Sequence, residues 1–133
     1  MTWYFMFKIK RVYETHKNED DYRVLVDKLW PRELSKDKAK LDLWLKDIAP
    51  SSDLRKWFGH DKDKWPQFKN KYLTELKEKK DLIKQMKELE KYHKTVTILY
   101  AAKDQEHNNA VVLLEVLNKP QKVVKNSISR THG

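Results

Sequence analysis

The stretch from Thr95 to Leu117, TVTILYAAKDQEHNNAVVLLEVL, constrains this chain more than any other. An apolar run rich in β-branched residues (Val96, Ile98, Leu99, Tyr100) stops at two alanines, crosses a polar turn, and resumes from Ala110 to Leu117. That pattern predicts a buried strand, a tight turn and a helix. Asp104 is the expected N-cap, because its carboxylate can accept an orphan amide of the first helical turn. A strand-to-helix corner also turns free amides and the positive end of a helix dipole outward, where an anion is favoured.

The rest of the chain supplies partners for that unit. Phe5 to Tyr13 alternates, with Phe5, Phe7 and Ile9 on one face and Lys8 and Lys10 on the other, which predicts an edge strand with one wet side. Arg11 shares the parity of Phe7 and Ile9 and so points to the core side at the strand's far end. Its stem either packs there with the head in solvent, or the head serves a site. Arg23 to Leu29 reads as a second, central strand, broken by Trp30-Pro31-Arg32 because proline cannot donate to a ladder. Asp27 near its end is an acid in an apolar run and needs a partner, for which Arg11, Lys28 and Arg32 are available.

Leu41, Leu43, Trp44, Leu45 and Ile48 suggest a helical stripe ending at Ala49-Pro50. Ser51 or Ser52 caps a short helix through Phe58, closed by Gly59 in the left-handed region. A long helix is expected from about Asp63, with Pro66 in its first turn and Trp65, Phe68, Tyr72, Leu76, Ile83 and Met86 on its buried side. Glu75 and Lys79 form an i,i+4 pair on its wet side. The sum is an α/β fold: a small, mostly parallel sheet of three or so strands packed by several helices. Residues 1–119 form one compact domain and 120–133 a polar tail with a short extended piece at Val123-Val124.

Composition excludes several function classes. With no cysteine there is no disulfide, thiolate zinc site or cysteine nucleophile. With two glycines, Gly59 and Gly133, neither a dinucleotide loop nor a Walker A loop can be written. No two histidines sit at ligand spacing on one helix, so no metal is expected, and no cofactor is either. The cluster Trp3 to Phe7 is too short for a membrane span and lacks the flanks of a signal peptide, so the expectation is a cytoplasmic protein without a membrane partner. The formal charge of +9 suits anions and nucleic acid, although lysine outnumbers arginine, the residue that reads phosphate and bases with a fork.

Three stretches, RVLVDKLWPRELSK with LDLWLKDIAPS, LRKWFGHD with the Trp65/Phe68/Tyr72 spacing, and LYAAKDQEHNNAVVLLE, resemble the YeaO-like branch of a bacterial domain family of unknown function. The resemblance covers roughly residues 6 to 117. It implies a small cytoplasmic α/β domain whose strand-end motifs form one polar pocket, and it carries no established activity. The chain departs from the family's usual pattern at Lys28, commonly Arg, and at Glu33, commonly Gly. Related branches often carry a Cys-His-Arg cluster where this chain has His107-Asn108-Asn109, which excludes a thiol mechanism.

If the strands are parallel, Arg11, Asp27, Trp30, Arg32, Lys103, Asp104, His107 and Asn108 gather at one sheet edge, where open α/β sheets bind ligands. A hairpin between the first two strands would instead send Arg11 to the opposite edge. In the parallel case a small phosphate- or carboxylate-bearing ligand is expected. Arg11, Trp30, Arg32, Lys103, Asp104 and Asn108 would contact it, and His107, His60 and Asp27 are the candidate catalytic groups. The alternative is a nucleic-acid-binding or regulatory protein that uses its basic surface.

Overall fold

A computed structural model describes residues 6–119. The elements in chain order are β1 (Met6–Arg11), β2 (Tyr22–Leu25), α1 (Lys36–Ala39), β3 (Leu43–Trp44), α2 (Ser52–Phe58), α3 (Trp65–Lys77), α4 (Lys80–His93), β4 (Thr95–Tyr100) and α5 (Asn109–Leu117), with short 3-10 turns between some of them. Among the described residues the sheet has four strands in the order β1-β4-β2-β3, every neighbouring pair parallel. The expected strand from Thr95 is therefore central, and β1 is an edge. Phe5 and residues 120–133, with Val123 and Val124, lie outside the described residues.

Alternation along the strands sorts side chains onto two faces. Phe7, Val24, Val26, Val96, Ile98 and Tyr100 enter a large core with Phe58, Phe68, Tyr72, Leu76, Met86 and Leu113 from the helices. Val12, Leu25 and Leu99 face the other way, under Trp30, Leu34, Leu41 and Trp44. The β1 face expected to be wet is partly covered: Lys10 bonds the Thr15 carbonyl and the Asp20 carboxylate, and Lys8 bonds the Glu19 carbonyl.

Four local expectations are corrected. The second strand stops at Leu25 rather than Leu29. Past Val26, the Asp27 carboxylate takes the Ala101 amide at 2.9 Å, so a side chain replaces the next rung of the ladder. The region of the apolar stripe from Leu41 holds the edge strand β3 and a 3-10 turn, not a helix. There Asp42 accepts the Arg23 amide and Leu45 donates to the Leu25 carbonyl, which keeps the backbone extended against β2.

The single long helix is two, α3 and α4, broken at Glu78-Lys79 without glycine or proline. One helix from Trp65 to His93 would run about 44 Å, about twice the length of a six-residue strand, and could not stay on this sheet. Lys79 donates to the Ala49 carbonyl, while Glu75 accepts from the Ser51 amide and hydroxyl, so neither lies on a wet side as expected. At the end of α4, His93 stacks on Tyr22 with ring centroids 4.0 Å apart. The Ser51 cap, the left-handed Gly59 and the early Pro66 are as expected.

Candidate functional site

Because β1, β2 and β4 run the same way, their C-terminal ends open on one side. A recess of about 1130 Å³ lies there, walled by Arg11 at the end of β1 and Tyr13 just past it, residues 27–33 after β2, Arg55, Lys56, Phe58, Gly59 and His60 at the end of α2, and residues 101–104 and 107–109 between β4 and α5. The nine residues singled out from the sequence, Arg11, Asp27, Trp30, Arg32, His60, Lys103, Asp104, His107 and Asn108, all line it. Arg32 and His107 thus face a common space.

Each side chain is held by its local geometry. Arg11 Nε donates to the carbonyls of Ala101 and Ala102 at 3.1 and 3.0 Å, and its guanidinium lies 4.6 Å from the centroid of Tyr13. The Tyr13 hydroxyl in turn donates to the Arg32 carbonyl at 2.7 Å. These contacts fix one edge of the Arg11 fork, and a guanidinium pre-set in this way loses little freedom when it binds an anion. Trp30 donates its indole N–H to the Leu34 carbonyl and packs edge-on to Trp44, which pins the loop after β2. Glu33 in that loop has φ 57, in the left-handed region where glycine is favoured, so its departure from the family pattern falls where the backbone suits glycine best.

Asp27 does not pair with Arg11, Lys28 or Arg32. Its oxygens accept from the Ala101 amide at 2.9 Å and from the Asn109 side chain at 3.2 Å, and Asn109 also donates to the Val26 carbonyl. A backbone amide and a neutral side chain satisfy this acid without any ion pair. Burial pushes its carboxyl above the ordinary range, with the Ala101 and Asn109 hydrogen bonds and nearby His60 and Arg55 pulling partly back.

The turn before α5 also differs from expectation. Asn108 is the N-cap, its side-chain oxygen accepting from the Val111 amide, while Asp104 organises the preceding turn. One Asp104 oxygen accepts the amides of Glu106 and His107, and the other meets His107 Nδ1 at 2.9 Å. The Glu106 amide, with the amide and ring of His107, holds the Asp104 carboxyl below its usual value against a smaller effect of burial. A carboxylate can only accept, so Nδ1 carries the proton and Nε2 of the neutral ring is left as an acceptor. The His107 ring also stands edge-on to Trp65.

Arg55 was not anticipated. It lines the recess, and its Nε is buried with no hydrogen-bond partner among the described residues. Its one sequence signal is position, next to Leu54 of the α2 apolar stripe and four residues before Gly59. Asn109 had no signal, since only the fold brings it to Asp27. With Lys28 and Lys56, the recess is walled by six Lys or Arg residues against the three acids Asp27, Glu33 and Asp104. Among the described residues no group of three or more His, Cys, Asp or Glu converges as metal ligands would. Nor is any described helix long and apolar enough to cross a membrane.

Fold and recess together define a small parallel α/β protein with a cationic hollow at the strand C-termini. The chain belongs to the family described as the inactive DUF488-N3 subclade, whose sequence model matches residues 6–131. It is 40% identical over 108 residues to the uncharacterized protein YeaO of Escherichia coli (strain K12), covering 81% of this chain and 93% of that one. It is 35% identical over 113 residues to the uncharacterized protein Rv3073c of Mycobacterium tuberculosis (strain ATCC 25618 / H37Rv), covering 84% and 92%. No solved structure matches.

Proposed function

We propose that the recess binds a small phosphate- or carboxylate-bearing ligand without turning it over. The observation that carries this reading is Arg55, a cationic donor in the wall whose buried Nε has no acceptor among the described residues. A buried donor left unmet costs about 1–3 kcal/mol, so the Arg55 head group enters the recess with hydrogen-bonding capacity that the described residues leave unused. The pre-set Arg11 fork and the excess of basic over acidic lining residues favour the same charge type. The family's description as inactive supports binding over catalysis. On this reading His107 and His60 are ligand contacts, with His107 Nε2 accepting from a ligand hydroxyl, and Asp27 holds the Ala101 amide and Asn109 in place. The nucleic-acid alternative is supported by the charge of +9, and a gel-shift titration at low salt tests it.

The experiment is a thermal-shift panel of inorganic phosphate, pyrophosphate, sugar phosphates and di- and tricarboxylates. A ligand at a hundred times its Kd adds about 2.7 kcal/mol of stability. Arg55→Met removes one charge-assisted hydrogen bond worth about 1.5–3 kcal/mol, so affinity should fall roughly 10- to 150-fold. Arg32→Ala and Lys103→Ala should weaken binding in the same direction. A flat panel for the native chain, or shifts that survive all three substitutions, overturns the proposal.

A further inference from the structure

A second concavity lies at the other end of α5, between α3, α4 and α5. Its volume is about 660 Å³, its floor includes the half-buried Leu73, Ile83 and Val116, and Lys77, Lys80 and Lys119 stand on its rim. No acidic residue is among the described residues that line it. We propose that this groove is a docking site for an acidic amphipathic helix of a partner protein.

The size lies within the roughly 300–1,000 Å³ of typical concave sites, which suits a few anchor side chains rather than a domain-sized surface. Apolar residues at i, i+3 or i+4, and i+7 of one helix would fill the floor, and flanking carboxylates would meet the lysines. Charge decides among occupants. Residues 120–133 follow Lys119 of the rim in the chain, but they carry Lys122, Lys125 and Arg130 and no acid, so their charge has the sign of the rim. A second copy of a chain with net charge +9 is opposed in the same way. A partner segment of opposite charge meets no such penalty and is steered toward the site.

The test uses the full chain and a labelled synthetic helix with leucines at those spacings and glutamates beside them. Two controls are a scrambled peptide of the same composition and a version with lysine for glutamate. Fluorescence anisotropy should show binding of the glutamate helix that weakens with salt, with amide NMR shifts centred on Leu73, Ile83 and Val116. Lys77→Glu/Lys80→Glu, checked for folding by circular dichroism, should weaken that helix at least tenfold and gain the lysine version. Equal binding of the scrambled peptide, shifts centred elsewhere, or no binding overturns the proposal. So does a tenfold gain in affinity on Val123→Ser/Val124→Ser, which would make the chain's own C-terminal residues the occupant.

Discussion

Replacing Asp20 by Asn should loosen the hub that joins β1 and β2 to the approach to β3. One Asp20 oxygen accepts from Arg23 Nη1 at 2.6 Å, Lys10 Nζ at 2.9 Å and the Lys17 amide at 3.0 Å, and the Asp20 carbonyl accepts the Thr97 hydroxyl at 2.7 Å. Arg23 is fully buried and also donates to the Ala39 and Lys40 carbonyls just before β3. Asp20 therefore ties β1, β4, β2 and the approach to β3. Asn keeps the shape but removes the charge, leaving the Arg23 guanidinium buried without its counter-ion.

Breaking a buried pair from one side costs about 3–5 kcal/mol, and the carbonyls that Arg23 retains place the expected loss near the lower figure. At an unfolding entropy of about 2.1 cal/mol/K per residue, that lowers Tm by about 11 °C in a chain of this length. Burial alone would raise the Asp20 carboxyl, but Lys10, the Lys17 amide and Arg23 together hold it below the usual 3.8. A depressed carboxyl contributes stability that is complete above the unfolded value and is lost as pH falls through the folded one. Urea titrations from pH 2 to 7 should thus show a loss below about pH 4 in the native chain that is reduced in the variant. A cost within about 1 kcal/mol at pH 7, the range of an exposed pair, would refute the argument.

Further substitutions probe the core and the site. Tyr72 is fully buried and donates to the Ile48 carbonyl at 2.7 Å, so Tyr72→Phe should cost about 1–3 kcal/mol in urea by stranding that acceptor. Burial first, then the charges of Asp27 and Glu75, push its hydroxyl far above the ordinary tyrosine value. Spectrophotometric titration should therefore find a tyrosine that ionises only on unfolding. Gly59 has φ +52 and room for a methyl, with the nearest atom, the Lys56 carbonyl oxygen, at 3.6 Å. Gly59→Ala should then cost only the left-handed backbone, about 1–2 kcal/mol by denaturation, and Gly59→Asn less. Nitrogen-15 NMR of neutral His107 should show the proton on Nδ1, and Asp104→Asn should shift it toward Nε2; an unchanged tautomer would break the proposed coupling.

Much of the site was legible because strand ends are local features. The Trp30-Pro31 break, the Ala101-Ala102 stop and the Gly59 turn each mark where a chain leaves an element, and parallel strands collect those points on one edge. Arg55 escaped because a helical arginine beside an apolar stripe looks like any solvated one until its surroundings are known. The α3–α4 break was invisible for a related reason: no residue at Glu78-Lys79 disfavours helix strongly, and the contacts that turn the chain, Lys79 to Ala49 and Glu75 to Ser51, span 30 and 24 residues.

Side-chain periodicity, which acts over a few residues, by itself determined the α/β class, the buried strand from Thr95, the edge character of β1 and the helix at Ala110. The exclusions that follow from absent cysteine and scarce glycine were likewise set by composition. Tertiary structure alone decided that β4 inserts between β1 and β2, that Leu43-Trp44 pairs as a strand, and that Asp20 and Asn109 find partners far away in sequence. Hydrogen bonds and charges are satisfied by whatever the fold brings near, and proximity across the sheet is not encoded in neighbouring residues.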